Sequence, residues 1–545
     1  MSKTNGLPQT QYAVQLVGPG ELTLNRSKSV FRPGPTQVVG RIEAVGLCFS
    51  DLKLLKQFST HARKTDILVG LTAAELATIP SYVPGDRPTV PGHEAVCRIV
   101  AVGEKVTRCK VGDRRLIQTD YRALKTANSN GSFGYNFEGA LQEYVLMDER
   151  VTVDAASGES YLLAAEEGLS ASAVALVEPW ACVECAYVTE ERRTIKAGGR
   201  LAIVVEPGHK VRPVERAYSP DGPPAEVVSA APDQVGALPD GSFDDIVYFG
   251  AAAATVEALC DKLAARGIIN LVTGGKTFGQ PVSIDIGRIH YGMTRWTGTT
   301  GDDPADGYAL IPRDGEVRDG DSILVVGAGG PMGQMHVIRD LCTDATGLTL
   351  TGTDFDNARL ESLGVKARPL AEANGVDLRL VNPRETPLGG TFSYIALMAP
   401  VPQLVAAAVL DSAERCLINI FAGIPAGTRQ AIDLDTYVRN RCWMFGTSGS
   451  RISDMKLVLD KVTAGKLDTN VSVDAVSGMA GAIEGIAAVE NRTLAGKILV
   501  YPALRDVGLI PLTDLADRYP AVAAALRNGT WNKDAEAKLL EVAGG

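Results

Sequence analysis

Residues 322–333 read SILVVGAGGPMG: an apolar run of strand length, a glycine-dense turn, and the opening of the helical stretch PMGQMHVIRDL. In such a turn backbone N–H groups can approach a pyrophosphate closely, and the dipole of the following helix favours its charge. The spacing departs from GxGxxG, because counting from Gly327 puts Met332 in the sixth position. The better register takes Ala328, Gly330 and Gly333. The candidate cradle is therefore Ala328, Gly329, Gly330, Pro331 and Met332. A glycine run alone also serves as a tight strand-to-helix turn without a ligand. The next apolar run, LTLTGTD, ends about 20 residues on in Asp354, where a carboxylate accepts from adenosine ribose hydroxyls and disfavours a 2′-phosphate. A dinucleotide site that prefers NAD to NADP is expected, with Arg359 as a further contact.

Outward from this stretch, from about Ile195 on, apolar runs alternate with Ala-rich helical segments, as in SYIALMAP followed by VPQLVAAAVL. That alternation marks a parallel, doubly wound sheet of the Rossmann type. This half of the chain also repeats itself. IKAGGRLAIVV (195–205) resembles VRDGDSILVVG (317–327), FDDIVYFG (243–250) resembles FSYIALMA (392–399), and GIINLVTGG resembles RCLINIFAG. IDIGRIHYGMTRWTGTTG (284–301) resembles IDLDTYVRNRCWMFGTSG (432–449). The order is preserved, so a duplicated domain is expected. The first copy is shorter between its first strand and FDDIV, the segment that holds the phosphate-binding turn, its helix and the adenosine strand in a dinucleotide fold. It should be unable to bind a whole dinucleotide. Its sheet is expected to meet the second copy's sheet edge to edge within one chain, since an exposed edge strand needs a partner or a cover.

Toward the N-terminus, from Tyr12 to about Val153, short β-branched runs are split by glycine and proline: VVGRIEAVGL, AVCRIVAVGEKV, VGDRRLIQ, GALQEYVLM. They suggest a small β-barrel or sandwich. The 545 residues exceed what one core usually serves, and 45% hydrophobic with 22% charged content is ordinary for a globular protein. A net charge of −10 supplies no footprint for nucleic acid or an anionic membrane, which leaves a small molecule as the expected partner. The nine cysteines are scattered, and no signal segment or membrane-length apolar stretch is visible, so a soluble cytosolic protein with reduced thiols is expected.

Three short stretches carry metal-ligand chemistry. GLCFSD (46–51) and VPGHEA (90–95) supply Cys48, His93 and Glu94, the sulfur, imidazole and carboxylate mixture of an open catalytic zinc site. In ALVEPWACVECAY, Glu178 lies in an apolar helix, an expensive place for an unpaired carboxylate. Each has a plainer reading: a buried small thiol, a structural turn histidine, and a carboxylate paired with Arg or Lys.

In order, GLCFSD, VPGHE, VGD, GALQEY, EPWACV, the glycine turn after SILVV and the closing AGKILVYP resemble the medium-chain zinc-dependent alcohol and polyol dehydrogenases. Within that superfamily the chain resembles sorbitol dehydrogenase, threonine dehydrogenase and especially L-sorbose-1-phosphate reductase. The resemblance covers roughly residues 12–200 and 317–503 and implies an α/β plus β protein. A GroES-like catalytic domain (1–194) would be followed by a truncated Rossmann-like repeat (195–316) and an NAD-binding Rossmann domain (317–475). Residues 476–545 would return to the catalytic domain and add a C-terminal extension of two packed helices. The active site would lie in the cleft between the catalytic and NAD-binding domains.

Carried over by position, the resemblance implies Cys48, His93, Glu94 and Glu178 in or near a zinc shell and Asp51 orienting the histidine. Ser50 would pass the substrate proton outward, and Lys53 occupies the place of a relay histidine. The backbone around Phe421 to Gly423 and Gly446 to Ser448, including Thr447, would hold the nicotinamide. The four closely spaced cysteines of a structural zinc are missing after VGD, so one catalytic zinc and no structural zinc are expected. The implied activity is hydride transfer between NAD and a secondary alcohol or ketone of a polyol, sugar or sugar derivative. A phosphorylated substrate would use Lys56, Arg63 and Lys64, which as readily form a solvated loop. The alternative is an epimerase or lyase using tightly bound NAD transiently. The internal duplication would alter the oligomeric state.

Overall fold

The computed structural model describes residues 6–544. They form two compact units. One runs to Ala181 and resumes at Ser450, and the other is Cys182–Gly449. The first unit therefore resumes earlier than the 475/476 boundary expected from the chain, because helix Ile452–Thr463 and strand Val473–Ser477 belong to it.

The first unit is organised by an eight-stranded, mostly antiparallel sheet. Its central strand, Gln37–Gly46, pairs antiparallel with Glu94–Val102, with Tyr144–Asp148 and, at its end, with Lys497–Val500. Gly46 lies directly opposite both Glu94 and Leu499, so three distant parts of the chain converge where GLCFSD leaves the sheet. The C-terminal extension departs from the expected two helices. Helix Lys533–Ala543 is preceded by the single turns Leu515–Arg518 and Pro520–Ala523. Asn528 and Gly529, both at positive φ, make the turn that interrupts it.

The second unit holds two all-parallel sheets. One has five strands in the order 226–230, 200–205, 243–249, 263–272, 295–299. The other has six, in the order 377–381, 349–353, 322–326, 392–397, 412–420, 443–445. Runs such as LAIVV, IVYF and YIAL are apolar throughout because both faces of a parallel sheet are covered. The sheets are not continuous. They are joined by an antiparallel ribbon of Val282–Asp285 with Arg429–Ile432, and the edge strands Arg295–Thr299 and Trp443–Phe445 lie against each other. One hydrophobic core takes residues from both, including Ile284, Ile289 and Trp296 with Ile432, Tyr437 and Met444. Each such side chain contributes about 1.5–3 kcal/mol on burial.

The five-stranded sheet corrects one expectation. A strand, Glu226–Ala230, does occupy the place beside Arg200–Val205 that was expected to be lost. It was illegible because none of its five residues is core: three are exposed and two half-buried. What the first sheet lacks is an α-helix between those two strands, where the second has Pro331–Leu341 and the first only the 3-10 turn Glu215–Ala217, and a counterpart of the outermost strand Asp377–Val381. Among the described residues no helix is long and apolar enough to cross a membrane.

Candidate metal centre and dinucleotide turn

Cys48 stands two residues beyond strand Gln37–Gly46 and is the N-cap of helix Phe49–Gln57. That position makes the Ser-Asp that follows useful. Asp51 Oδ2 accepts the Cys48 N–H at 3.2 Å, closing the helix start, while Asp51 Oδ1 accepts from His93 Nδ1 at 3.0 Å. With Nδ1–H so held, loss of the proton from Nε2 leaves the imidazole's lone pair there. Ser50 Oγ sits 3.1 Å from both Cys48 Sγ and His93 Nε2. Burial works against a charged His93, and the Asp51 carboxylate outweighs it, leaving the imidazole well above its ordinary range.

The ligand atoms of Cys48, His93 and Glu94 lie within 4.8 Å of one another. Glu94 is fully buried; its Oε1 accepts from Lys497 Nζ at 2.6 Å, and its Oε2 has no hydrogen-bond partner. Lys497 also donates to Leu47 O at 2.7 Å. A thiol, an imidazole with an oriented lone pair and an unpartnered buried carboxylate oxygen fit a zinc ion. Glu178 stands outside this set. It lies in the first turn of helix Val177–Val188, and burial pushes its carboxyl up to about 7 against the pull of His93.

Sequence reasoning missed Lys497, 403 residues from Glu94, although the AGKILVYP motif contained it. It also missed Tyr135, whose ring lies 5.1 Å from that of His61 and 5.8 Å from that of His93. The run of aromatics in FGYNF was the available signal. Lys53 is exposed on the helix that carries Ser50, and burial, then Arg63 and Lys53, lower His61 to about 4. Of the three charges considered for a phosphate, Lys64 is buried and donates to Val83 O and Arg87 O, and Lys56 pairs with Glu490. Arg63 lies over the Tyr135 ring at 5.5 Å.

In the second unit SILVV is strand Ser322–Val326, and Gly330 caps helix Pro331–Leu341 with Pro331 at its first position. The turn corrects the sequence register. Gly327, at φ +83°, makes the tight turn, and the Ala328 N–H is spent on Thr353 O at 2.8 Å with its side chain fully buried. A methyl on Gly333 would collide with Gly327 O, so Gly333 sets the close helix-to-strand packing. The motif is thus a glycine turn with one extra residue, and Ala328 supports it from behind. Asp354 follows strand Thr349–Thr353 and accepts from Gly329 N–H at 3.1 Å. Arg359 packs beside Gly329 and pairs with Asp356 at 3.6 Å. Phe355, 59% exposed, was not singled out; the Arg384 guanidinium covers its ring at 4.2 Å. Phe421 and Gly423 follow strand Ser412–Ile420; beyond Trp443–Phe445, Thr447 is buried with an unpartnered Oγ1 and Ser448 is exposed.

A β unit carrying a thiol, imidazole and carboxylate cluster, in one chain with a parallel unit carrying a glycine turn and an acidic strand end, defines the zinc-type dehydrogenase class. The comparisons agree. A family model described as the alcohol dehydrogenase GroES-like domain matches residues 34–157. Sorbitol dehydrogenase of Sus scrofa is 33% identical over 97 residues, 18% of this chain and 78% of its own. L-sorbose 1-phosphate reductase of Klebsiella pneumoniae is 28% identical over 236 residues, 41% of this chain and 56% of its own. The chain spans under two thirds of the length of several such relatives, down to 24%. The solved structure of 2R,3R-butanediol dehydrogenase from Bacillus subtilis shares the fold, with a TM-score of 0.53 at 16% identity over 90% of this chain and 100% of that one. The chain belongs to the medium-chain zinc-dependent alcohol and polyol dehydrogenase superfamily.

Proposed function

We propose that this chain is a zinc- and NAD-dependent oxidoreductase acting on a secondary alcohol or ketone of a polyol, sugar or sugar derivative in the cytoplasm. The observation that carries this reading is the Cys48, His93, Glu94 cluster with Asp51 on the far nitrogen of the imidazole. Cys48, His93 and the free oxygen of Glu94 would hold one zinc, with Glu178 available nearby. Bound there, zinc supplies Lewis acidity that lowers the pKa of a substrate hydroxyl. NAD, held at the turn from Gly329 to Met332 and by Asp354, supplies the hydride acceptor.

The chain's own residues do the rest. Asp51 fixes the ring orientation and tautomer of His93, and Lys497 neutralises one side of the buried Glu94. Ser50, its Oγ 3.1 Å from two of the proposed ligands, takes the substrate proton outward. Lys53 is exposed on the same helix, and the Tyr135 and His61 rings line the way out as the reading extends. Residues 195–316 are read as a truncated second copy of the dinucleotide fold that no longer binds a cofactor.

The test is a spectrophotometric panel of polyols, sugars and sugar phosphates with NAD. NADH absorbance should accumulate and persist with at least one secondary alcohol. Substrate turnover with no net NADH, on cofactor that copurifies, would overturn net redox in favour of the epimerase or lyase reading.

A further inference from the structure

The two sheets of the second unit meet through a self-complementary contact. In the ribbon, Val282 pairs with Ile432, Ser283 with Ala431 and Ile284 with Gln430. Exchanging each residue for its counterpart 148 positions away, the offset that separates IDIGRIHY from IDLDTYVR, returns the same ladder about the Ser283–Ala431 pair. Packing outside the ribbon is reciprocal as well. A Cβ on Gly446 would meet Ile420 O at 2.7 Å and His290 Cα at 3.0 Å, while one on Gly298 would meet Leu271 O and Val438 Cγ2, both at 2.8 Å.

Backbone geometry repeats too. Arg266 and Arg415 have φ of 60° and 61°, and each donates its N–H to an equivalent carbonyl, Gly292 O at 2.8 Å and Asn440 O at 2.6 Å. Met293 and Arg441, at φ 51° and 54°, are a second such pair. Left-handed backbone at a non-glycine residue is uncommon, so two matched pairs at the repeat offset mark related folds. This is the geometry of an isologous, two-fold interface, placed inside one chain.

The two halves differ at the carboxyl ends of their strands, where such sheets take ligands. In the first, Glu206 follows strand Arg200–Val205 and accepts from Tyr248 and Thr255 hydroxyls, both at 2.7 Å, while Ala252 N–H donates to the Tyr248 oxygen at 2.9 Å. The polar groups at that strand end are thus bonded to one another. In the second, the loops after strands Ser412–Ile420 and Trp443–Phe445 are touched by the first half. His290 Nδ1 lies 3.2 Å from Ile420 O, the His290 ring stands edge-on to Phe421, and a methyl on Gly423 would collide with the Tyr291 hydroxyl. Arg295 donates to Gly446 O at 3.2 Å, and Gly287 packs on Pro425.

We propose that the truncated copy is a built-in partner that no longer binds cofactor itself and instead walls the nicotinamide end of the single cofactor site, with Tyr291 and His290 as positioning residues for the Phe421–Gly423 loop. This rests on the NAD reading above. Tyr291 is 46% exposed, so replacing it leaves the core intact. Gly423 has no positive φ, so an added methyl acts only through the space it takes.

The experiment is NADH titration of the full chain by fluorescence, with melting temperature recorded for each variant. Wild type should bind one NADH per chain. Gly423→Ala should weaken binding roughly 10-fold, and adding Tyr291→Ala should restore most of that loss at an unchanged melting temperature. Equal losses with and without Tyr291→Ala, or two NADH per chain, would overturn the proposal while leaving the NAD reading in place. No NADH binding by wild type would overturn the NAD reading and the proposal with it.

Discussion

Asp51 uses its two oxygens on different tasks, closing the helix start at Cys48 and holding His93. A helix N-terminus thereby delivers a thiol and an imidazole to one place. Cys48→Ser or His93→Ala should remove zinc and activity together with little change in unfolding midpoint, because Gln37–Gly46 and Glu94–Val102 are held to each other by their antiparallel backbone ladder. Zinc content by mass spectrometry beside the denaturation curve checks this, and a metal-free variant with full turnover would contradict it. Lys497 is different. Its ion pair with Glu94 is buried on both sides, at 5% and 0% exposure, so Lys497→Met strands a carboxylate. The expected cost is about 3–5 kcal/mol in urea unfolding.

At the scale of elements, the glycine turn and the strand after it act as one device. Gly329 donates to Asp354, so the carboxylate and the turn hold each other in place. Asp354→Ala should weaken NAD and narrow its lead over NADP by roughly 10-fold, read as the ratio of kcat/KM values. In the C-terminal extension, Glu536 accepts the N–H groups of Ala171 and Ser172 at 2.6 and 2.7 Å and the Tyr501 hydroxyl at 2.9 Å. The helix Lys533–Ala543 thus caps the start of helix Ala171–Ala175, 365 residues away. Glu536→Ala should cost about 2–4 kcal/mol, since two amides and a hydroxyl lose a charged acceptor. A denaturation midpoint equal to wild type would show the extension to be dispensable.

At the scale of the whole molecule, stability should depend on pH through Asp340, in the helix after the glycine turn. Burial raises its carboxyl from 3.8 to about 7, with Arg339 opposing from 3.8 Å. The folded chain therefore keeps a proton that the unfolded chain releases, and stability should fall as pH rises from about 4 to about 7. Asp340→Asn should flatten that slope and melt higher than wild type at pH 8. A steeper slope in the variant would contradict the assignment.

Local pattern was enough for much of this. Unbroken apolar strands alternating with Ala-rich helices, the glycine turn, Asp354 and the Cys48, Ser50, Asp51 spacing are all written within a few residues, so the parallel sheets and the candidate residues Cys48, His93 and Glu94 could be named from the chain, and the structure brings those three together. The second parallel sheet was legible too, because its apolar runs alternate with Ala-rich segments just as those of the first do. Tertiary structure decided what depends on residues meeting across hundreds of positions. Lys497 on Glu94, Glu536 on Ala171 and Tyr291 against Gly423 carry no local signal. The same is true of Gly327 rather than Ala328 making the turn, since only the backbone angle and the Thr353 carbonyl distinguish them. Side-chain type and spacing report what a segment prefers to do alone. Which buried charge finds a counter-charge, and which loop finds a wall, is settled only when the sheets close on one another and exclude water from the pairings left over.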